Sequence, residues 1–320
     1  MKIVILERAS VGADVSVDCL QEIGEVTVYS NTTAADVKEK IVDAEIIIAN
    51  KSPLNEETLA NAHNVKLICE FATGFDNVDL KYCDKRGIKV ANVVNYSTEA
   101  VTQHTFALCL YLLEKLRHYD DYVKSGEYAS QDRFSNFDRP YTELSGKTWG
   151  IIGMGNIGKS VAKVATAFGC RVIFYSASGN SSCTDYERVD LDTLLAKSDV
   201  LSIHCPLSER THHLINKEAL SKMKKSAILV NVARGPVVDD EALYTALMEN
   251  QIAAAGLDVT STEPMKASNP LSKFMDSNRL LITPHMAWAS IEARTRVVTE
   301  TYQNIQAFLR GENRNIVNGK

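Results

Sequence analysis

Gly153-Met154-Gly155-Asn156-Ile157-Gly158 is a G-x-G-x-x-G run, and it is the strongest local signal for chemistry in the chain. Glycine-rich turns are common, so the run has meaning only where a strand precedes it and a helix follows. Here Trp149-Gly150-Ile151-Ile152 reads as the strand and residues 159–168 as the helix. In that setting Gly153 makes the tight turn and Gly155 lets backbone N–H groups approach a pyrophosphate. Gly158 lets helix and strand pack closely, and the helix N-terminus favours the anion. The expected ligand is a dinucleotide.

Three further segments place a polar group just where an apolar run ends. They are Asn231-Val232-Ala233-Arg234-Gly235, then residues 256–264 with Asp258 and Glu263, then Thr283-Pro284-His285. A lone charge at such an edge is usually solvated. Three on successive strands around one cleft point to an arginine anion clamp and a carboxylate–imidazole acid/base pair. His63, His118, His212 and His213 lie in polar stretches and read as surface residues, whereas His104 and His204 read as packed.

About 20 residues beyond the fingerprint, NAD-binding chains carry an Asp or Glu for the ribose hydroxyls. Ser176 occupies that place, and the run from Phe174 to Asn180 contains no acid. Loss of the carboxylate removes the repulsion that excludes a 2′-phosphate, yet no Arg or Lys lies nearby in sequence to attract one. The reading is NAD, with NADP left open.

Short β-branched runs alternating with helix-length amphipathic stretches must hold these groups in place. The first strand candidates are residues 2–6, 25–29, 44–49, 65–71 and 89–93, with helices expected over 11–23, 33–42, 55–63 and 79–86. Ile46-Ile47-Ile48 and its like are continuous apolar runs, as expected where helices cover both faces of a parallel sheet. A helix then runs from about residue 97 to 124, and its middle, residues 106–113, is apolar on every face. Six more strand candidates follow a polar loop, at 148–153, 171–176, 200–205, 227–233, 254–259 and 279–283. The pattern is α/β, with two doubly wound parallel-sheet domains. The first domain is expected over 1–98 plus 291–320, because the last helix can return to cap it. The dinucleotide-binding domain is expected over 99–290.

Composition agrees with that picture. The 320 residues are 45% hydrophobic and 23% charged, which rules out disorder and collagen-like structure. A net charge of −5 argues against nucleic acid as a partner. No apolar run is long enough for a membrane span, and the N-terminus has no signal-peptide cleavage site. Seven scattered cysteines without a C-x-x-C pair suggest reduced thiols in the cytoplasm, with neither a disulfide framework nor a metal site. The all-apolar helix, with the arm over residues 127–140, suggests a two-fold homodimer. The alternative is a core strut.

Taken together, Ala72-Thr73-Gly74-Phe75-Asp76-Asn77-Val78-Asp79, the fingerprint, and the Arg, Glu and His segments in that order resemble the D-isomer-specific 2-hydroxyacid dehydrogenases over essentially the whole chain. The resemblance implies a flavodoxin-like substrate domain beside a Rossmann domain. It implies hydride transfer between a nicotinamide cofactor and a small 2-oxo or 2-hydroxy acid. His285-Met286-Ala287-Trp288-Ala289 and the loop before Gly146 are most similar to bacterial glycerate dehydrogenases, which reduce hydroxypyruvate.

By the same resemblance, backbone N–H groups around Ala72, Thr73 and Gly74 hold the substrate carboxylate, helped by the Asn50-Lys51-Ser52 loop and Arg234. Arg234 also polarises the 2-oxo group, His285 donates the proton, and Glu263 orients the imidazole. Asp258 would hold the nicotinamide carboxamide. Thr73, Asn156, Ile157, Cys205, Val232 and Ala233 match cofactor-contact positions. Gln103 and Ser176 depart from commonly acidic places. Related readings remain. Lactate-type and phosphoglycerate-type dehydrogenases belong to the same family, formate dehydrogenases carry Gln in place of Glu263, and NADH-sensing corepressors share the fold.

Overall fold

Branched apolar residues build two separate all-parallel sheets in the computed structural model, which describes residues 1–319. The chain divides into two units, Met1–Ser97 with the segment from Ala289 onward, and Thr98–Trp288. In the first unit β1 (Lys2–Ile5), β2 (Glu25–Val28), β3 (Ile46–Ala49), β4 (Leu67–Glu70) and β5 (Lys89–Ala91) lie in the order β2-β1-β3-β4-β5. Every residue of β3 and β4 is buried, as the continuous apolar run of β3 requires, and in β4 this includes the carboxyl-bearing Glu70. The helix Ile291–Leu309 packs back on β4.

The helices of this unit are shorter than the sequence suggests. In place of one helix over residues 11–23, the chain makes two 3-10 turns, Arg8–Val11 ending where that span begins and Asp18–Glu22 within it. The cause is competition for carbonyls. Arg294 donates to Val11 O, Arg8 donates to the carbonyls of Gly12 and Val15, and Gly12 takes a left-handed φ of 74°. Of the expected helices over 33–42 and 55–63, only Val37–Lys40 and Glu56–Leu59 are helical, the latter started by a reciprocal Asn55–Thr58 cap. Leu80–Arg86 is capped by Asp79 and ended by left-handed Gly87.

In the second unit β6 (Thr148–Ile152), β7 (Arg171–Tyr175), β8 (Glu187–Arg188), β9 (Val200–Ile203), β10 (Ile228–Asn231), β11 (Ala254–Leu257) and β12 (Leu280–Ile282) form one sheet. Its order is β12-β11-β10-β9-β6-β7-β8. The sequence shows six of these strands; β8 is two exposed charged residues and carries no apolar signal. The order of strand addition reverses at β6, outward through β7 and β8 and then back to β9 on its other side, so the carboxyl ends of the parallel β6 and β9 frame the crevice where such sheets take ligands.

The expected helix over 97–124 is broken at Lys115, whose φ of 57° is left-handed, giving Thr98–Leu113 and Leu116–Lys124. The first piece is not a free apolar rod. Leu108, Cys109 and Leu112 are buried in this unit's own core, and Gly256 of β11 makes room for Leu108 and Leu112. Exposed apolar side chains gather after the break instead, at Leu116, Val123, Tyr128, Phe134, Phe137 and Tyr141. Among the described residues no helix is long and apolar enough to cross a membrane, and no two cysteines are bonded.

Candidate active site

The fingerprint lies at the carboxyl end of β6, and each glycine has its own steric reason. Gly153 has φ 95°, and a Cβ there would stand 2.7 Å from the Cys205 amide nitrogen. A Cβ on Gly158 would collide with the carbonyl oxygen of Gly153, so strand and helix can approach only with glycine. Gly155 differs: a Cβ there meets nothing within 4 Å, so its backbone faces open space. Gly155 is also the N-cap of the helix Asn156–Ala167, and no side chain caps that end. A backbone cradle facing open space at the N-terminus of a 12-residue helix suits the pyrophosphate of a dinucleotide. These residues fit the cofactor that the motif implies. Cys205 closes the opposite wall; burial pushes its thiol up to about 11, so it contributes shape rather than reactivity.

Past β10, Asn231 is fully buried and laces the next turn together. Its side chain accepts from the Ala233 amide at 3.1 Å and donates to Arg234 O at 3.0 Å. Val232 and Ala233 are thereby fixed at the strand end. Gly235 lies against the Thr260 carbonyl so closely that no Cβ would fit. Arg234 thus leaves a turn clamped from two sides, with Nη1 donating to Ala233 O at 2.9 Å.

His285 and Glu263 meet as the sequence suggests. Nδ1 of His285 lies 2.7 Å from Glu263 Oε2, and Glu263 Oε1 accepts from the Thr260 amide at 3.3 Å. An ionised carboxylate only accepts, so the proton sits on Nδ1 of the half-buried His285 and Nε2 is left for another group. His285 itself has a left-handed φ of 54°. Its amide donates to the carbonyls of Asp258 and Thr283.

Asp258 is 1% exposed, and its carboxylate works inside the fold. Oδ1 accepts from Thr283 Oγ1 at 2.6 Å and from the Met286 amide at 2.7 Å, while Oδ2 accepts from the Ala287 amide at 2.8 Å. Burial alone would raise its pKa. Hydrogen bonds from His104, Thr283, Ala287 and Met286 outweigh that and hold it below the usual carboxylate range. His104 Nε2 lies 2.9 Å from Thr283 Oγ1 and joins the network from the helix Thr98–Leu113. The sequence marks His104 only as packed; its position one helical face from β12 carries no signal of this role. His204 is half-buried, and desolvation pushes its imidazole down to about 3. His63, His212 and His213 are exposed; His118 is half-buried.

Ser176 closes β7. Its hydroxyl donates to Asn180 O at 2.9 Å within a serine-rich loop.

The first unit carries the remaining expected positions. The turn holding Ala72, Thr73 and Gly74 follows β4 and is tied to the end of β5: Thr73 Oγ1 donates to Val93 O, and Asn92 donates to Thr73 O, both at 2.7 Å. The loop after β3 holds a partner that the sequence does not reveal. The amides of Asn50, Lys51 and Ser52 all donate to the carboxylate of Glu7, so these three N–H groups are already paired, and the Lys51 side chain is exposed. Beside it lies Glu70, fully buried at the end of β4, whose Oε1 accepts from Asn77 at 3.1 Å.

Comparison with known proteins agrees with this arrangement. Residues 106–287 match the NAD binding domain of the D-isomer specific 2-hydroxyacid dehydrogenases. A hydroxypyruvate reductase of Blautia hydrogenotrophica is 38% identical over 99% of this chain and 100% of its own length. A glycerate dehydrogenase of Methylorubrum extorquens is 38% identical over 99% of this chain and 98% of its own. Among solved structures, the D-lactate dehydrogenase of Aquifex aeolicus, complexed with NAD and lactic acid, superposes with a TM-score of 0.85. It is 32% identical, with both chains covered in full. The chain therefore belongs to the D-isomer specific 2-hydroxyacid dehydrogenase family, a family of nicotinamide-dependent oxidoreductases.

Proposed function

We propose that this enzyme interconverts D-glycerate and hydroxypyruvate in the cytoplasm, also takes glyoxylate, and uses NADH at least as well as NADPH. The observation that carries the acid/base part is the 2.7 Å contact between His285 Nδ1 and Glu263, which leaves Nε2 to face a substrate oxygen. The names of the two relatives, at 38% identity, support the substrate.

A nicotinamide cofactor, when bound, would supply or accept the hydride. Around it, the helix Asn156–Ala167 offers its N-terminal amides, including those of Asn156 and Ile157, to the pyrophosphate. The Val232-Ala233 turn and Cys205 line the cofactor, and Thr73 is assigned to it as well. Arg234 holds carboxylate and 2-oxo oxygen together through its planar fork and stabilises charge as it develops on that oxygen. His285 gives the substrate oxygen its proton from Nε2 during reduction and takes it back during oxidation. Glu263 favours the imidazolium that this requires. The Ala72-Thr73-Gly74 backbone and the Lys51 ammonium are assigned to the substrate carboxylate. Asp258 anchors the turn carrying His285, with the carboxamide as its second assignment.

In this reading residues 1–98 with 291–320 form the substrate domain and 99–290 the cofactor domain. The exposed aromatics of the arm, Phe134 and Phe137, support a homodimer. The test is a panel of hydroxypyruvate, glyoxylate, pyruvate and branched 2-oxo acids with NADH and NADPH. Hydroxypyruvate should give the highest kcat/KM; a tenfold preference for pyruvate would replace glycerate with lactate.

A further inference from the structure

The loop that should carry a ribose-binding acid carries serines instead, and it curls onto itself. Ser176 Oγ and Ser178 Oγ both donate to Asn180 O, at 2.9 and 3.1 Å, and the Asn180 amide returns to Ser178 Oγ at 3.3 Å. From Tyr175 to Thr184 there is no acid to repel a phosphate.

A cation reaches this loop from elsewhere in the sheet. Arg210 lies in the segment after β9, the strand whose end packs against Gly153 of the fingerprint. Its Nη1 donates to Ser178 O at 3.4 Å, a long bond that places the guanidinium without consuming it. Among the described residues its other N–H groups have no acceptor and no carboxylate pairs with it. The segment bearing it is a built turn. The Ser208 amide donates to Thr211 Oγ1, and Thr211 Oγ1 donates to Pro206 O, both at 2.8 Å, so Arg210 is held on a fixed base.

We propose that Arg210 is the phosphate ligand of the adenosine half of the cofactor site, so that this chain accepts the 2′-phosphate of NADPH as well as the plain ribose of NADH. The inference rests on the fingerprint as the dinucleotide site and extends it. A guanidinium presents a rigid fork to phosphate, and serine hydroxyls without formal charge give only about half the strength of charge-assisted bonds. The cation therefore decides phosphate affinity, and the serine loop only leaves room for it.

The test is calorimetric binding of adenosine 2′,5′-bisphosphate and of 5′-AMP to the wild-type protein, to Arg210→Gln and to Arg210→Lys. We expect the affinity ratio of bisphosphate to 5′-AMP to fall about 10- to 100-fold in Arg210→Gln, with Arg210→Lys in between. The kcat/KM ratio of NADPH to NADH should fall by a similar factor. In wild type the ratio should also decline with added salt. An unchanged ratio in Arg210→Gln overturns the assignment. Wild-type protein that binds neither nucleotide overturns the fingerprint reading beneath it. Binding of both nucleotides with equal loss in the variant marks Arg210 as a structural residue.

Discussion

Asp258 grips the residue that follows His285, the proposed proton donor: the Met286 amide donates to Asp258 Oδ1 at 2.7 Å. The buried carboxylate also takes the Ala287 amide and the Thr283 hydroxyl. It therefore shapes the left-handed turn at His285. Asp258→Asn puts an NH2 group where one of these donors points, and an unmatched buried donor costs roughly 1–3 kcal/mol. We expect a lower thermal midpoint together with at least a tenfold loss in kcat. A variant that loses stability but keeps kcat would confine Asp258 to folding.

The acid/base pair makes a kinetic prediction. His285→Ala should leave NADH binding, read by fluorescence titration, nearly intact while reduction slows by about 10²–10⁴. His285→Asn is the better control, because Asn tolerates a left-handed φ that other side chains resist. Glu263→Gln removes the carboxylate that favours the imidazolium. The proton then leaves at lower pH, and the alkaline limb of the reduction profile should move toward acid. Near-normal turnover in His285→Asn would take the role of donor from this residue.

Arg234→Lys keeps the charge and loses the fork. A large drop in kcat/KM should follow for every 2-oxo acid tested, with little change in thermal midpoint. The opposite pattern, normal kinetics and reduced stability, would make Arg234 a helix-end residue only.

Glu70 predicts a pH dependence of stability. Burial, with Glu7 and Asp76 nearby, pushes its carboxyl up to about 8 against the ordinary 4.5, despite Asn77 and Lys51 pulling the other way. Between those two values the unfolded chain has released the proton and the folded chain still holds it, so stability falls as pH rises through this window. Glu70→Gln cannot titrate. Its stability in urea should exceed that of the wild type by a margin growing from pH 5 to pH 8, reaching on the order of a few kcal/mol. A constant margin across that range would mean that Glu70 is ionised throughout.

The sequence is most informative where one residue type has one physical use. The fingerprint glycines, the continuous isoleucines of β3 and the order of Arg234, Glu263 and His285 are visible because sterics or chemistry leave few substitutes. What stays hidden depends on distant partners. Nothing in residues 11–23 says that Arg8 and Arg294 will take their carbonyls and break a helix. Nothing near Ser176 points to Arg210, more than thirty residues on. The helix over residues 106–113 reads as apolar all round, and only Gly256 on a strand far along the chain explains why its own sheet can absorb it.

Glu7 is a ligand built into the chain. In a sheet of order β2-β1-β3-β4-β5, the crevice between the ends of β1 and β3 is where comparable folds seat the phosphate of a nucleotide. Here a tethered carboxylate already sits on the three amides at the end of β3, beside a cleft of about 480 Å³. An occupant joined to the chain never dissociates into solution, and dilution or competing anions do little to displace it. The first sheet is in this sense self-liganded. The loop bearing Lys51 takes its shape during folding, so the ordering entropy is spent there and not when a substrate arrives.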